Sequence, residues 1–303
     1  MGKKNTKMNK KESAGMSCFR KLKMDSVAWS LRRIYCPVKK DALVLEVGSG
    51  SNPYYRANIL CDAYLETQER FFEKLITDRP IVLALAENLP FKDDTFDFVI
   101  ASHVLEHSKD PEKFILELQR VGRAGYIEVP DAFMERLTNY SFHMLEITEK
   151  NGELLIRKKN GQIQDEELWN LFKNKARGVA PILFSKKPFN FHVRYYWSKD
   201  SGGIRYKILN PEYKFDWEPP EEPMSCSLGK QSLKTRFNKI ALFLFRRILS
   251  QNMRNKKINS RLDEYLLCLN CRGPISKKEH EYQCGKCGRS YSLIGGRIPN
   301  FIL

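Results

Sequence analysis

The sequence predicts an α/β protein built on a doubly wound, largely parallel sheet, with an insertion and a small four-cysteine ribbon after it. Three observations point there. Short runs of branched aliphatics alternate with turn residues and helix starts between Leu43 and Pro130. One such run, Leu43-Val44-Leu45-Glu46-Val47, breaks abruptly into Gly48-Ser49-Gly50. Two Cys-x-x-Cys pairs, Cys268/Cys271 and Cys284/Cys287, are separated by 12 residues.

Taken in order, residues 1–40 form a basic segment. Residues 1–16 read as unstructured. From Ser17 to Tyr35, apolar residues at Phe19, Leu22, Val27, Leu31 and Ile34 suggest one or two basic amphipathic helices, as packing elements or as a lid. The Gly48–Gly50 turn follows a buried-type strand, and Asn52-Pro53 has the form of an N-cap and first helical residue. Strand, glycine turn and helix start make a nucleotide cradle. Glu46 would repel a pyrophosphate, which argues against a dinucleotide or ATP and for a ligand bearing positive charge. A second strand, Ala57 to Asp62, ends in a carboxylate able to accept both hydrogen bonds of a ribose diol. Only 12 residues separate Gly50 from Asp62, so the first helix must be very short or a loop. Pro80 to Leu85 is a third strand and Phe96 to Ser102 a fourth. Asp110-Pro111 starts a helix with the stripe Phe114, Ile115, Leu118 and Val121. Gly125 to Pro130 is the fifth strand.

Beyond Pro130 the alternation stops, and residues of about 131–190 read as an insertion in a domain spanning 41–225. Asn151-Gly152 marks a hairpin, Asp165 to Phe172 a helix, and Gly202-Gly203 a second hairpin that could supply the antiparallel edge closing the sheet. Residues 226–262 form a basic linker helix, and 263–303 the ribbon. Four cysteines with this spacing close a tetrahedron around zinc, a structural site with no open position. The other cysteines (Cys18, Cys36, Cys61, Cys226) are scattered, as in a reducing compartment.

The net charge of +16 sits in two places: residues 1–40 and residues 230–261 each carry a net +10, while residues 41–229 carry −6. Such segments suit RNA or an anionic membrane face, or are solvated tails. The start is polar and basic, without a secretory apolar region, though Met1-Gly2 fits the loose N-myristoylation pattern. The longest uninterrupted apolar run, Ile240 to Phe245, is far too short to span a bilayer. A cytoplasmic protein is expected, peripheral at a membrane if the basic segments work there.

The stretch Asp41 to Pro53 resembles motif I of the class I S-adenosylmethionine-dependent methyltransferases, with a Rossmann-like sheet, and Asp97 with its apolar run resembles their motif IV. That resemblance covers Leu43 to Pro130. It implies that S-adenosylmethionine is held by Glu46, Gly48, Ser49, Gly50, Asp62, Ala86, Glu87 and Ser102. Where the family often has Asp before Ala-x-x-Leu-Pro-Phe, this chain has Leu85, leaving backbone at Ala86, or Glu87, to meet the adenine. His103-Val104-Leu105-Glu106-His107 spells an inverted zinc-protease motif. Its position directly after a strand favours a loop at the cofactor mouth instead. Base candidates are His103, His107 and Asp131. The tail Leu266 to Leu303 resembles the zinc-ribbon activator subunit of tRNA and ribosomal methyltransferases, so an activator-like domain would be supplied in cis. The expected function is methyl transfer to a glycan, lipid-linked intermediate, RNA or protein. The alternative is a non-catalytic RNA-binding protein on a cofactor fold.

Overall fold

Five short parallel strands, each an apolar run buried on both faces, carry the site. In the computed structural model, which describes residues 11–67, 73–161, 165–219, 258 and 261–302, these are β1 (Val44–Val47), β2 (Ile59–Asp62), β3 (Ile81–Leu83), β4 (Phe98–Ser102) and β5 (Ala124–Pro130). Every residue in them is buried. Side chains alternate between faces: Leu45, Val47, Val99, Ala101, Ile127 and Val129 build one core, while Val44, Phe98, Ile100 and Tyr126 build another. An antiparallel sixth strand, β8 (His192–Ser198), completes the order β3-β2-β1-β4-β5-β8.

The helix α3 (Pro111–Val121) starts where expected, its Asp110 carboxylate accepting from Lys113 N–H at 3.0 Å. Phe114, Ile115, Leu118 and Val121 are all buried. The expected helix at Asn52-Pro53 does not form; residues 51–58 are a loop. Too few residues join β1 to β2 for a helix and two turns. Tyr54 fills that space instead, 2 % exposed, with its N–H donating to Glu46 at 2.7 Å. Buried Arg79 donates to the loop carbonyls of Tyr54 and Ala57 at 3.0 and 2.9 Å.

At the start, α1 (Ala14–Lys21) begins inside the stretch read as unstructured, because Ser13 caps it. With α2 (Asp25–Leu31) it makes the expected helical pair. The pair is a packing element: Lys187 pairs with Asp25 at 2.9 Å, and Arg32, just beyond α2, grips Glu128 with two bonds of 2.8 and 3.0 Å.

Between β5 and β8 lie α4 (Ala132–Thr138), β6 (Leu145–Lys150), β7 (Glu153–Lys158), α5 (Glu166–Lys175) and α6 (Ala180–Lys186). The hairpin across Asn151-Gly152 and the Asp165-capped helix are as read from sequence. The second hairpin is not. Gly202 and Gly203 do turn the chain, both with positive φ. But β9 (Tyr206–Ile208) leaves β8 and pairs parallel to β7 in a separate sheet, β6-β7-β9. The 3₁₀ turn Lys199–Ser201 lengthens the connection, and Gln119 captures Ile204 N–H at 2.8 Å, steering it away.

The last element is an antiparallel meander of β10 (Ile275–Lys277), β11 (Glu281–Cys284), β12 (Ser290–Ile294) and β13 (Ile298–Pro299). It docks on the β3 edge: Phe301 N–H donates to Leu83 O at 2.7 Å, and Leu267 N–H to Pro90 O at 2.9 Å. The basic helix expected over 226–262 lies outside the described residues, apart from a few at its end. Among the described residues, no helix is long and apolar enough to cross a membrane.

Candidate functional site

The C-terminal ends of β1 to β4 open into a cavity of about 620 Å³. Its floor is the glycine turn. Gly48 and Ser49 N–H groups donate to Cys61 O at 2.8 and 3.2 Å, tying the turn to β2. Gly48 has φ +66°, and a Cβ there would overlap Val104 Cγ2 outright and stand 3.0 Å from Val104 Cβ. The glycine is therefore required by the loop after β4, a constraint the sequence does not show. Gly50 N–H donates to Asp62 at 2.9 Å, and Tyr64 N–H to the other Asp62 oxygen at 3.1 Å. Gly48, Gly50, Asp62, Ala86 and Glu87 all line the cavity, with Leu85 at its edge, 43 % exposed. Ser49 Oγ is buried in the turn without a hydrogen-bond partner.

Other expected site residues lie elsewhere. Glu46, Ser49, Ser102 and Asp131 do not line the cavity. Glu46 sits on the opposite face of β1, bonded to Tyr54 N–H and 3.9 Å from Arg33. Burial pushes it up to about 8, against the pull of Arg33 and the Tyr54 N–H. Ser102 donates to Glu128 at 3.0 Å. Asp131 caps α4 and accepts from Thr148 at 2.6 Å. No described residue of the N-terminal helices lines the cavity.

The His103–His107 string is a loop and a 3₁₀ turn, as its position implies. His103 has φ +59°, a strained conformation outside glycine. It lies 3.3 Å from Glu106 and 3.4 Å from Glu128. Burial disfavours its charge, but the two carboxylates outweigh that and raise it to about 9. It is thus cationic at neutral pH and poorly suited to act as a base. His107 also lines the cavity; burial and neighbouring His143 push it down to about 4, so it is neutral. Sequence reasoning did not find His143, Glu135 or Lys159, which stand within or beside the insertion and join this wall only through tertiary packing.

In the ribbon, Cys268 and Cys287 sulfurs lie 3.6 Å apart, and those of Cys271 and Cys284 lie 3.4 Å apart. A zinc with bonds of about 2.3 Å spreads its sulfurs to about 3.8 Å, whereas a disulfide needs about 2.05 Å. Cys284 Sγ also accepts from the N–H groups of Lys286 and Cys287 at 3.3 and 3.5 Å. The donor set therefore fits a metal.

Residues 45–127 match the family model of a methyltransferase domain. An uncharacterized protein of Methanocaldococcus jannaschii is 44 % identical over 45 residues, which are 15 % of this chain and 22 % of that protein. Norajmaline N-methyltransferase of Rauvolfia serpentina is 42 % identical over 65 residues, 22 % of each chain. The chain thus spans under a quarter of the length of either relative. Among solved structures, a SAM-dependent methyltransferase from Thermotoga maritima aligns at 22 % identity over 38 % of this chain and 61 % of the other, with a TM-score of 0.25. The sheet is a mixed, Rossmann-like α/β sheet, and the methyltransferase-domain match falls on its parallel part.

Proposed function

We propose that this chain is an S-adenosylmethionine-dependent methyltransferase with a zinc-bound, activator-like ribbon fused to its catalytic domain. The observation that carries the reading is one cavity bounded by the glycine turn at Gly48 and Gly50, by Asp62 at the end of β2, and by Ala86–Glu87. A ligand with polar groups at one end and a diol at the other meets those groups in that order. The bound cofactor supplies a methyl group already activated on a sulfonium. The chain's own work is to orient that group, exclude water and accept a proton from the acceptor. Of the three base candidates, His103 and His107 line that cavity and Asp131 does not. The ribbon's four thiolates hold structural zinc. The basic segments are contacts for a phosphate-rich acceptor or an anionic membrane face, and the cytoplasm is where the chain would work.

Calorimetry with S-adenosylhomocysteine tests the reading. One site is expected, and Asp62→Ala should weaken it by about 1–3 kcal/mol. No binding by the folded wild-type chain would leave a non-catalytic cofactor fold.

A further inference from the structure

We propose that Glu106, His107 and His143 form a second metal site, for a divalent cation of the manganese-to-zinc series, in the wall of the cavity. One ligand atom from each lies within 4.8 Å of the others. Donors about 2.1 Å from one ion stand about 3.0–3.4 Å apart at octahedral or tetrahedral angles, so loading draws them together by no more than about 2 Å. Two separate segments bring the three together. Glu106 and His107 come from the turn after β4, and His143 from the connection between α4 and β6. Met144 N–H donates to Glu106 O at 2.7 Å and holds the segments in place.

Glu106 is the residue that calls for a ligand. It is 2 % exposed, and neither carboxylate oxygen receives a hydrogen bond. His103 Nδ1 approaches to 3.3 Å but makes only a charge contact. A buried carboxylate without hydrogen-bond donors is costly; the His103 charge at 3.3 Å offsets part of that cost, and a metal ion on the oxygens' lone pairs would offset the rest.

The two imidazoles are held as metal ligands are held. His143 Nδ1 lies 2.5 Å from Glu135, whose other oxygen takes Lys159 Nζ at 3.0 Å, all three side chains being buried. A carboxylate on Nδ1 keeps the proton there and gives Nε2 the lone pair. His107 Nδ1 faces the Phe142 carbonyl at 3.3 Å, an acceptor only, which sets the same tautomer. Two imidazoles and a carboxylate suit Mn²⁺, Fe²⁺, Co²⁺ or Zn²⁺, and differ in kind from the four-thiolate set of the ribbon. This is not the protease arrangement that the H-x-x-E-H string spells. There both His of the string would bind; here His103 turns to Glu128, and a residue of the insertion takes its place. Because His107, Phe142 and Met144 line the cavity, open coordination positions face it. The ligand class admitted there is an oxygen donor: water, or a hydroxyl or carboxylate of a bound acceptor. The inference rests on these side chains and stands whether or not the chain transfers methyl groups.

Mn²⁺ separates the two sites, because thiolates discriminate against it. The full chain, loaded with zinc and dialysed, is titrated with Mn²⁺ alone and followed by electron paramagnetic resonance. One bound Mn²⁺ per chain is expected, with a rise in melting temperature. Glu106→Gln and His143→Ala should weaken binding at least 100-fold, and Glu135→Gln by about 10–100-fold through the His143 ring. If the buried variants misfold, half-buried His107→Ala carries the test. A wild-type chain that binds no Mn²⁺, Co²⁺ or second Zn²⁺, or folded variants that bind like wild type, would overturn the site.

Discussion

Gly48→Ala should destabilise the fold by about 2–5 kcal/mol, and about half of that should vanish when Val104 is truncated. Two separate costs make up the figure. The residue sits at φ +66°, where any side chain is strained by about 1–2 kcal/mol. Its Cβ would also overlap Val104 Cγ2, and forcing extra atoms into packed space costs about 1–3 kcal/mol. Val104→Ala removes both γ carbons and leaves its Cβ 3.0 Å from the new methyl, a tight but tolerable contact. It should itself cost about 1–2 kcal/mol of lost burial. The double variant should therefore be more stable than the sum of the singles by about 1–3 kcal/mol, a coupling well above the error of a urea-melt cycle. Strict additivity would refute the reasoning, because the close approach of the two loops would then not be what demands glycine.

Three other outcomes follow from the same geometry. Leu85→Asp restores a side-chain acceptor at the cavity edge, so S-adenosylhomocysteine should bind about 2–10-fold tighter by calorimetry; unchanged or weaker binding would remove the adenine from that edge. Glu46 has a folded pKa raised to about 8 by burial, against Arg33, so its protonated form is what the fold prefers. Its contribution is present below the unfolded value near 4.5 and is lost as pH rises through about 8. Urea midpoints of wild type should fall relative to Glu46→Gln over that window, and parallel pH curves would argue that Glu46 stays ionised. Chelating the ribbon's metal should speed amide exchange at Phe301 and Leu267 while β1 and β4 stay protected; equal protection with and without metal would mean the ribbon docks without it.

What could be read from the sequence was local. The parallel strands announce themselves as apolar runs because both of their faces are buried. The helix α3 announces itself through Asp110 and Pro111, since capping acts within one turn. The cavity residues Gly48, Gly50, Asp62, Ala86 and Glu87 were legible for the same reason: strand ends are local events. Glu46 misled because its charge was read without its face; one residue of pleat turns it from the cavity to Arg33. The loss of the first helix was half legible in the short Gly50–Asp62 spacing, but nothing local says that Tyr54 fills the gap or that Arg79 satisfies its carbonyls. The partner of β9 and the approach of His143 to Glu106 depend on long-range packing, so no pattern in the chain could reveal them.

The ribbon's place in the fold gives its cysteines a reach beyond their own segment. Tyr291 hydroxyl lies 3.1 Å from Cys268 Sγ and accepts from Leu269 N–H at 2.8 Å. Its ring packs against Phe301 with centroids 4.4 Å apart, and Phe301 N–H holds Leu83 O. Leu83 ends β3, and the next residues, Ala84 to Glu87, are cavity wall. Each link is a buried contact between neighbours, so the position of that wall depends on the order of the thiolates. An exposed β3 edge of three apolar residues would otherwise be open to pairing with any passing strand. The ribbon closes that edge and, through the same hydrogen bond, fixes where the cavity-lining loop begins.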